Sequence, residues 1–178
     1  LRIEYENGTI ETVLTDPTWK ASTGPIRQTD ILMGETYDAR LAMPDWNRPG
    51  FDDSAWNAAE TFESNGGTFE PYPGSPVRCT QTLRPLSVVE QSPGVSIFDM
   101  GQNFAGRVGI RVRGAEGQKV TLRFGEMLHE DGRLMTENLR TARVTDHYIC
   151  AGTGEYGSWE PTFTYHGFQY VEVTGLDY

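Results

Sequence analysis

Three histidines, two cysteines and a dense set of carboxylates are the residues in this sequence with the chemistry to catalyse or to ligate. His129, His147 and His166 have no second histidine or cysteine at ligand spacing, and Cys79 and Cys150 form no C-x-x-C pair, which argues against zinc. The two cysteines leave one disulfide arithmetically open, beside the reading of two buried thiols on strands. Glu126, Glu130, Asp131 and Glu137 are the grouping from which a glycosidase would draw an acid and a base. A chain with 25 acidic residues offers such groupings by composition alone, so solvated surface is the favoured reading. Asp131-Gly132 lacks the alternating ligands of a calcium loop and reads as a hairpin turn. Gly152–Gly157, GTGEYG, matches G-x-G-x-x-G, but a nucleotide fingerprint needs a helix directly after it. SWEPTF follows instead, so the stretch is a glycine-rich turn. No G-x-S-x-G nucleophile elbow is present.

His166 sits in WEPTFTYHGFQYVEVTG, where aromatic residues alternate along a strand pattern. Gly167 permits a bend or bulge there. A structural imidazole is expected, hydrogen-bonded to a carbonyl or carboxylate and packed against Phe163, Phe168 or Tyr170. Glu35, Asp38, Arg40, Trp46 and Asp53 form a different kind of set: carboxylates, a guanidinium and an aromatic ring of the sort that grips a sugar by hydrogen bonds and stacking. The competing reading pairs Glu35 or Asp38 with Arg40 inside the fold and puts Trp46 and Trp56 in a core beneath a loop.

The elements that must carry these residues read as strands. LRIEYENGTIETVLTD alternates around Asn7-Gly8, a hairpin turn signal. Residues 43–57 and 64–76 are turn- and loop-rich. A second strand series runs through GVSIFDMG, GRVGIRVRG, QKVTLRFGEML, RVTDHYICAG and FQYVEVTG. Val120, Leu122 and Phe124 alternate with polar Thr121 and Arg123, the period of a half-buried antiparallel strand. No helix longer than two turns and no repeat is evident, so the expected architecture is all-β, an antiparallel sandwich with a boundary near residues 85–92. The 178 residues suffice for a core without staples. A net charge of −10 argues against nucleic acid and anionic membranes, and no apolar run is long enough to span a bilayer. Both ends read as cuts through a longer protein.

The combination of DMGQNFAGRV, TENLRTARVTDHY and FTYHGFQYVEV resembles the β-sandwich module that precedes the catalytic barrel of bacterial α-L-rhamnosidases. Upstream, GPIRQTDILMGETYDARL with GFDDSAWNAA resembles the end of the preceding N-terminal sandwich of the same enzymes. The resemblance implies two regions: 1–85, the C-terminal part of the carbohydrate-binding-like N-terminal sandwich plus a linker, and 86–178, a jelly-roll-like accessory sandwich. It implies a parent that hydrolyses terminal α-L-rhamnose with inversion, on a helical barrel that this sequence lacks. No catalytic residue carries over. The implied role is structural support, with the barrel of the same polypeptide as partner. The alternatives are a module recognising L-rhamnose in glycans and, last, an independent glycosidase using the Glu126–Glu137 cluster. Some family members bind rhamnose through calcium, with an Asp/Asn ligand pair just before the segment matching GETYDAR. Here Leu32-Met33 stand there, and neither side chain offers the hard oxygen calcium needs. No cofactor is therefore expected.

Overall fold

The computed structural model describes residues 1–63, 66–68 and 70–176. It divides into two compact units, Leu1–Thr23 with Pro44–Pro76, and Gly24–Met43 with Val77–Tyr178. In the first, β1 (Arg2–Glu4) and β2 (Ile10–Thr12) form the antiparallel hairpin that the alternation predicts. Gly8 at φ 83° and the Tyr5 N–H to Thr9 carbonyl bond close its turn. β3 (Lys20–Ala21) pairs with β6 (Asn57–Ala58). Trp46, Phe51 and Trp56 form an aromatic cluster with ring centroids 6.5 and 5.7 Å apart. Trp46 is not the core residue its type suggests, being 57% exposed. No described residue of this unit is fully buried.

The second unit is built on a seven-stranded sheet. Its strands are β4 (Ile26–Asp30), β5 (Gly34–Asp38), β7 (Ser87–Ser92), β8 (Val95–Gly106), β10 (Lys119–Gly125), β11 (Thr145–Ile149) and β13 (His166–Thr174). The order is β4-β5-β11-β10-β13-β8-β7. Val120, Leu122 and Phe124 of β10 are fully buried and pack with Tyr148, Cys150, Phe168, Val171 and Val173. A two-stranded layer, β9 (Ile110–Val112) with β12 (Gly157–Trp159), adds Val112 and Trp159 to the same core. The all-β expectation holds, and the described residues add only two single-turn 3₁₀ segments, Ala39–Leu41 and Glu137–Leu139.

Three details depart from the sequence reading. The β4–β5 hairpin, assigned by sequence to the first region, extends the second unit's sheet, and β5 runs parallel to β11. The parallel register sets Tyr37 opposite Tyr148, where their rings stack at 5.9 Å and 5°. Trp159 closes on Tyr148 at 5.7 Å. The strand irregularity in β13 falls between Phe168 and Tyr170 rather than at Gly167, which stays in register opposite Ala105. Both cysteines are free, and Cys79 is exposed outside any strand while Cys150 is buried. The glycine-rich turn reads as expected, with Gly152 and Gly154 at positive φ and a strand, not a helix, after them.

Gly34 is where the hairpin is locked to the sheet. Its φ is 102°, and a Cβ there would stand 2.0 Å from the Thr145 carbonyl oxygen. Both the strain and the clash oppose any side chain. Gly34→Ala is expected to lower stability by about 2–4 kcal/mol in urea unfolding. A loss below about 1 kcal/mol would show that the hairpin moves freely against β11.

Candidate functional site

Among the sugar-grip candidates, Glu35, Asp38 and Arg40 belong to the second unit and Trp46 and Asp53 to the first. Glu35 is fully buried. Its carboxylate accepts from the backbone N–H of Thr162, at 3.2 and 3.1 Å, and of Phe163, at 3.2 Å. These bonds hold the segment before β13, and no surface of Glu35 is left to offer a sugar. Asp38 caps the 3₁₀ turn and takes the Arg40 guanidinium at 2.9 and 2.7 Å. That hydrogen-bonded guanidinium holds the Asp38 carboxyl below its ordinary range. The Asp38–Arg40 pairing within the fold is therefore present. Asp53 is paired with Lys20 at 2.7 Å. Trp46 is exposed.

The carboxylate cluster is dispersed over separate partners. Glu126 accepts from Asn103 at 2.9 Å, Asp131 is paired with Arg133 at 2.7 Å, and Glu137 meets His129 at 3.2 Å. Asp131-Gly132 is a turn in which the Gly132 N–H donates to the His129 carbonyl. At 32–33 the backbone carbonyls already accept from the N–H groups of Val144 and Thr145, and the side chains are apolar. The residues here do not fit a calcium ion. No group of three or more His, Cys, Asp or Glu that could hold a metal ion occurs among the described residues.

His166 is 3% exposed and Asp146 1% exposed, with Nε2 of the histidine 3.1 Å from Asp146 Oδ1. A carboxylate oxygen accepts, so Nε2 carries the proton. Asp146 Oδ1 also accepts from the Glu35 N–H at 2.8 Å. The imidazole packs on Phe124, with centroids 4.4 Å apart, rather than on Phe163, which is exposed. The network is closed to solvent and works as structure. Sequence reasoning missed Asp146, although the period-two alternation Asp146, Tyr148, Cys150 turns all three toward the core.

The opposite sheet face is polar. Gln28, Thr36, His147, Thr121 and Thr174 lie opposite one another across β4, β5, β11, β10 and β13. Thr121 Oγ1 and His147 Nδ1 are 3.1 Å apart. Burial, then Lys119 and Arg143, lower the His147 pKa below its ordinary 6.5. Beside this row a cavity of about 290 Å³ opens, lined by Thr36, Arg123, Arg140, Arg143, Thr145 and His147. Arg123 is anchored to Glu172 at 2.8 Å and to Thr136 Oγ1 at 3.3 Å.

A solvent-closed polar network, dispersed carboxylates and a two-layered β fold describe an all-β module. The N-terminal domain of α-L-rhamnosidases matches residues 1–81, and the concanavalin-like domain of bacterial α-L-rhamnosidases matches residues 89–178. The chain belongs to the α-L-rhamnosidase family and corresponds to its N-terminal, non-catalytic region. It is 46% identical to an α-L-rhamnosidase of Streptomyces avermitilis, over 99% of this chain and 17% of that protein. The structure of a Streptomyces avermitilis α-L-rhamnosidase complexed with L-rhamnose superposes with a TM-score of 0.91 and 44% identity, covering 99% of this chain and 17% of that one. An α-L-rhamnosidase from Dictyoglumus thermophilum superposes with a TM-score of 0.90 and 41% identity, covering 98% and 20%. The chain thus spans about a fifth of the length of these relatives.

Two outcomes follow from the geometry. His166→Ala breaks a buried pair and leaves a cavity beside Phe124, so a loss of about 2–4 kcal/mol is expected in urea unfolding. Phe163→Ala, at an exposed ring, should cost under about 1 kcal/mol. Equal costs for the two would contradict the burial of His166. For His147 the folded pKa lies below the unfolded one, so its contribution is intact above about pH 6.5 and is lost as pH falls further. His147→Gln removes this titration. The fall in melting temperature from about pH 7 to about pH 5 should be shallower in the variant than in the parent.

Proposed function

We propose that this chain is the accessory β-region of an α-L-rhamnosidase, and that it supports and positions a catalytic barrel carried elsewhere in the same polypeptide. The observation that carries this reading is the match over 99% of the chain to relatives of which it makes up only 17–19%. The first unit, which has no fully buried residue among those described, accords with a piece of a larger sandwich; residues 1–85 are read as the C-terminal part of that sandwich plus a linker, joined to an accessory sandwich over residues 86–178. The whole protein would release terminal α-L-rhamnose from glycosides.

A rhamnose-binding role is the second reading, favoured by one feature, the exposure of the Trp46 indole. Titration with L-rhamnose, with calcium and then with chelator, separates the two. No calcium-dependent binding is expected, because Leu32 and Met33 present no ligand oxygen from their side chains. Sub-millimolar binding lost on chelation would reverse the assignment. The chain alone is expected to leave an aryl α-L-rhamnoside unhydrolysed, at the rate of a heat-inactivated control. Turnover abolished by Glu126→Gln would instead make it an enzyme.

A further inference from the structure

The cavity on the outer sheet face holds guanidinium groups with nothing to answer them. Arg123 is paired with Glu172. Arg140 and Arg143, both exposed, have no ion pair among the described residues. This occurs in a chain of net charge −10, where acidic partners are abundant. The wall that presents them is held in costly backbone: Arg140 has φ 58° and Val144 φ 46°. Left-handed geometry is unfavourable for an arginine and more so for a β-branched valine. The N–H groups of Val144 and Thr145 fasten that wall to the carbonyls of Leu32 and Met33. The backbone that carries the two exposed guanidiniums is therefore fixed to the sheet. The lining contains no Trp, Tyr or Phe ring, so it lacks the broad stacking face that gives a sugar ring its purchase. Threonine hydroxyls and guanidiniums suit a compact planar anion, a carboxylate.

We infer that Arg140 and Arg143 form a receptor for an Asp or Glu side chain of the catalytic region, fixing that region against the outer face of the seven-stranded sheet. The inference rests on the reading of the chain as one region of a longer polypeptide. Two guanidiniums without an ion pair, in a chain that spans about a fifth of its relatives' length, commit it to that occupant. A half-exposed arginine pair holds a free carboxylate only weakly. A carboxylate on the same polypeptide is present at an effective concentration in the millimolar range, so the same weak contact is occupied. His147, kept neutral, adds no competing charge.

The test uses the longer polypeptide and zero-length carbodiimide coupling, which joins an amine to a contacting carboxylate. Arg140→Lys and Arg143→Lys supply the amine while keeping the charge. Coupling of Lys20 to Asp53, 2.7 Å apart, is the internal control. Peptide mapping is expected to show a new link from position 140 or 143 to an acidic residue outside residues 1–178. No such link while the Lys20 control couples, or links only within residues 1–178, overturns the inference. So does sub-millimolar binding of D-glucuronate by the chain alone, which would make the occupant a free carboxylate ligand. Arg140→Glu with Arg143→Glu should leave the melting temperature of the chain alone unchanged and lower that of the longer polypeptide by several degrees; a drop confined to the chain alone counts against docking. Rhamnosidase activity of the longer polypeptide, absent from the chain alone, is the readout of the accessory reading. Activity retained without the link therefore defeats the docking inference and leaves that reading standing.

Discussion

The second unit depends on one buried carboxylate. Asp146 projects from β11 toward the core, and its Oδ1 receives both the Glu35 N–H and the His166 ring. A buried carboxyl group needs hydrogen-bond partners, and the two that meet at Oδ1 hold three strands distant in sequence to one geometry. Glu35 extends the link through its own carboxylate to the amides of Thr162 and Phe163. The parallel β5–β11 pairing follows from this set of bonds, as does the Tyr37–Tyr148 stack that seals it. Parallel pairing is the less stable kind and needs such reinforcement. Gly34 belongs to the same constraint, because the close approach of β5 to the Thr145 carbonyl leaves no room for a Cβ.

That constraint divides the sheet into two faces of opposite character. The inner face buries Leu122, Phe124, Phe168 and Val171, and its polar atoms are mostly satisfied by each other. The outer face carries the Gln28–Thr36–His147–Thr121–Thr174 row and the anchored Arg123. Strand alternation makes the division unavoidable: once Asp146 and Tyr148 point inward, His147 must point outward.

Much of this was legible from the sequence because it rests on local rules. The Asn7-Gly8 and Asp131-Gly132 turns, the alternation of Val120, Leu122 and Phe124, and the strand after Gly152–Gly157 need only two or three neighbouring residues. His166 was legible as structural for the same reason, since no ligand partner lies at chelating distance in sequence. Its packing partner was not. Phe124 is a neighbour only across the β10–β13 pair, whereas sequence adjacency pointed to Phe163, Phe168 or Tyr170. Glu35 failed for a related reason: its role is set by amides more than a hundred positions away, and an acidic residue in GETYDAR carries no mark of burial. The β4–β5 hairpin looked like part of the first region because chain order, not pairing, is what a sequence displays.

Saturation is what separates the candidate sites from one another. A buried group with all its bonds made, such as Glu35, has nothing left with which to bind or to transfer a proton. The Asp146–His166 pair has the composition of a catalytic dyad, yet it is shut in beneath Phe124 where no substrate reaches it. Asp146 Oδ2 and Trp159 Nε1 are buried without a hydrogen-bond partner, but the groups with spare capacity that solvent reaches lie on the other face, at Arg140 and Arg143. There the backbone is held in left-handed geometry at Arg140 and again at Val144. Backbone strain persists only where surrounding bonds over-determine it, and the bonds from Val144 and Thr145 to the 32–33 carbonyls do so. Those carbonyls belong to Leu32 and Met33, and what they hold in place is the wall that carries the two unpaired arginines.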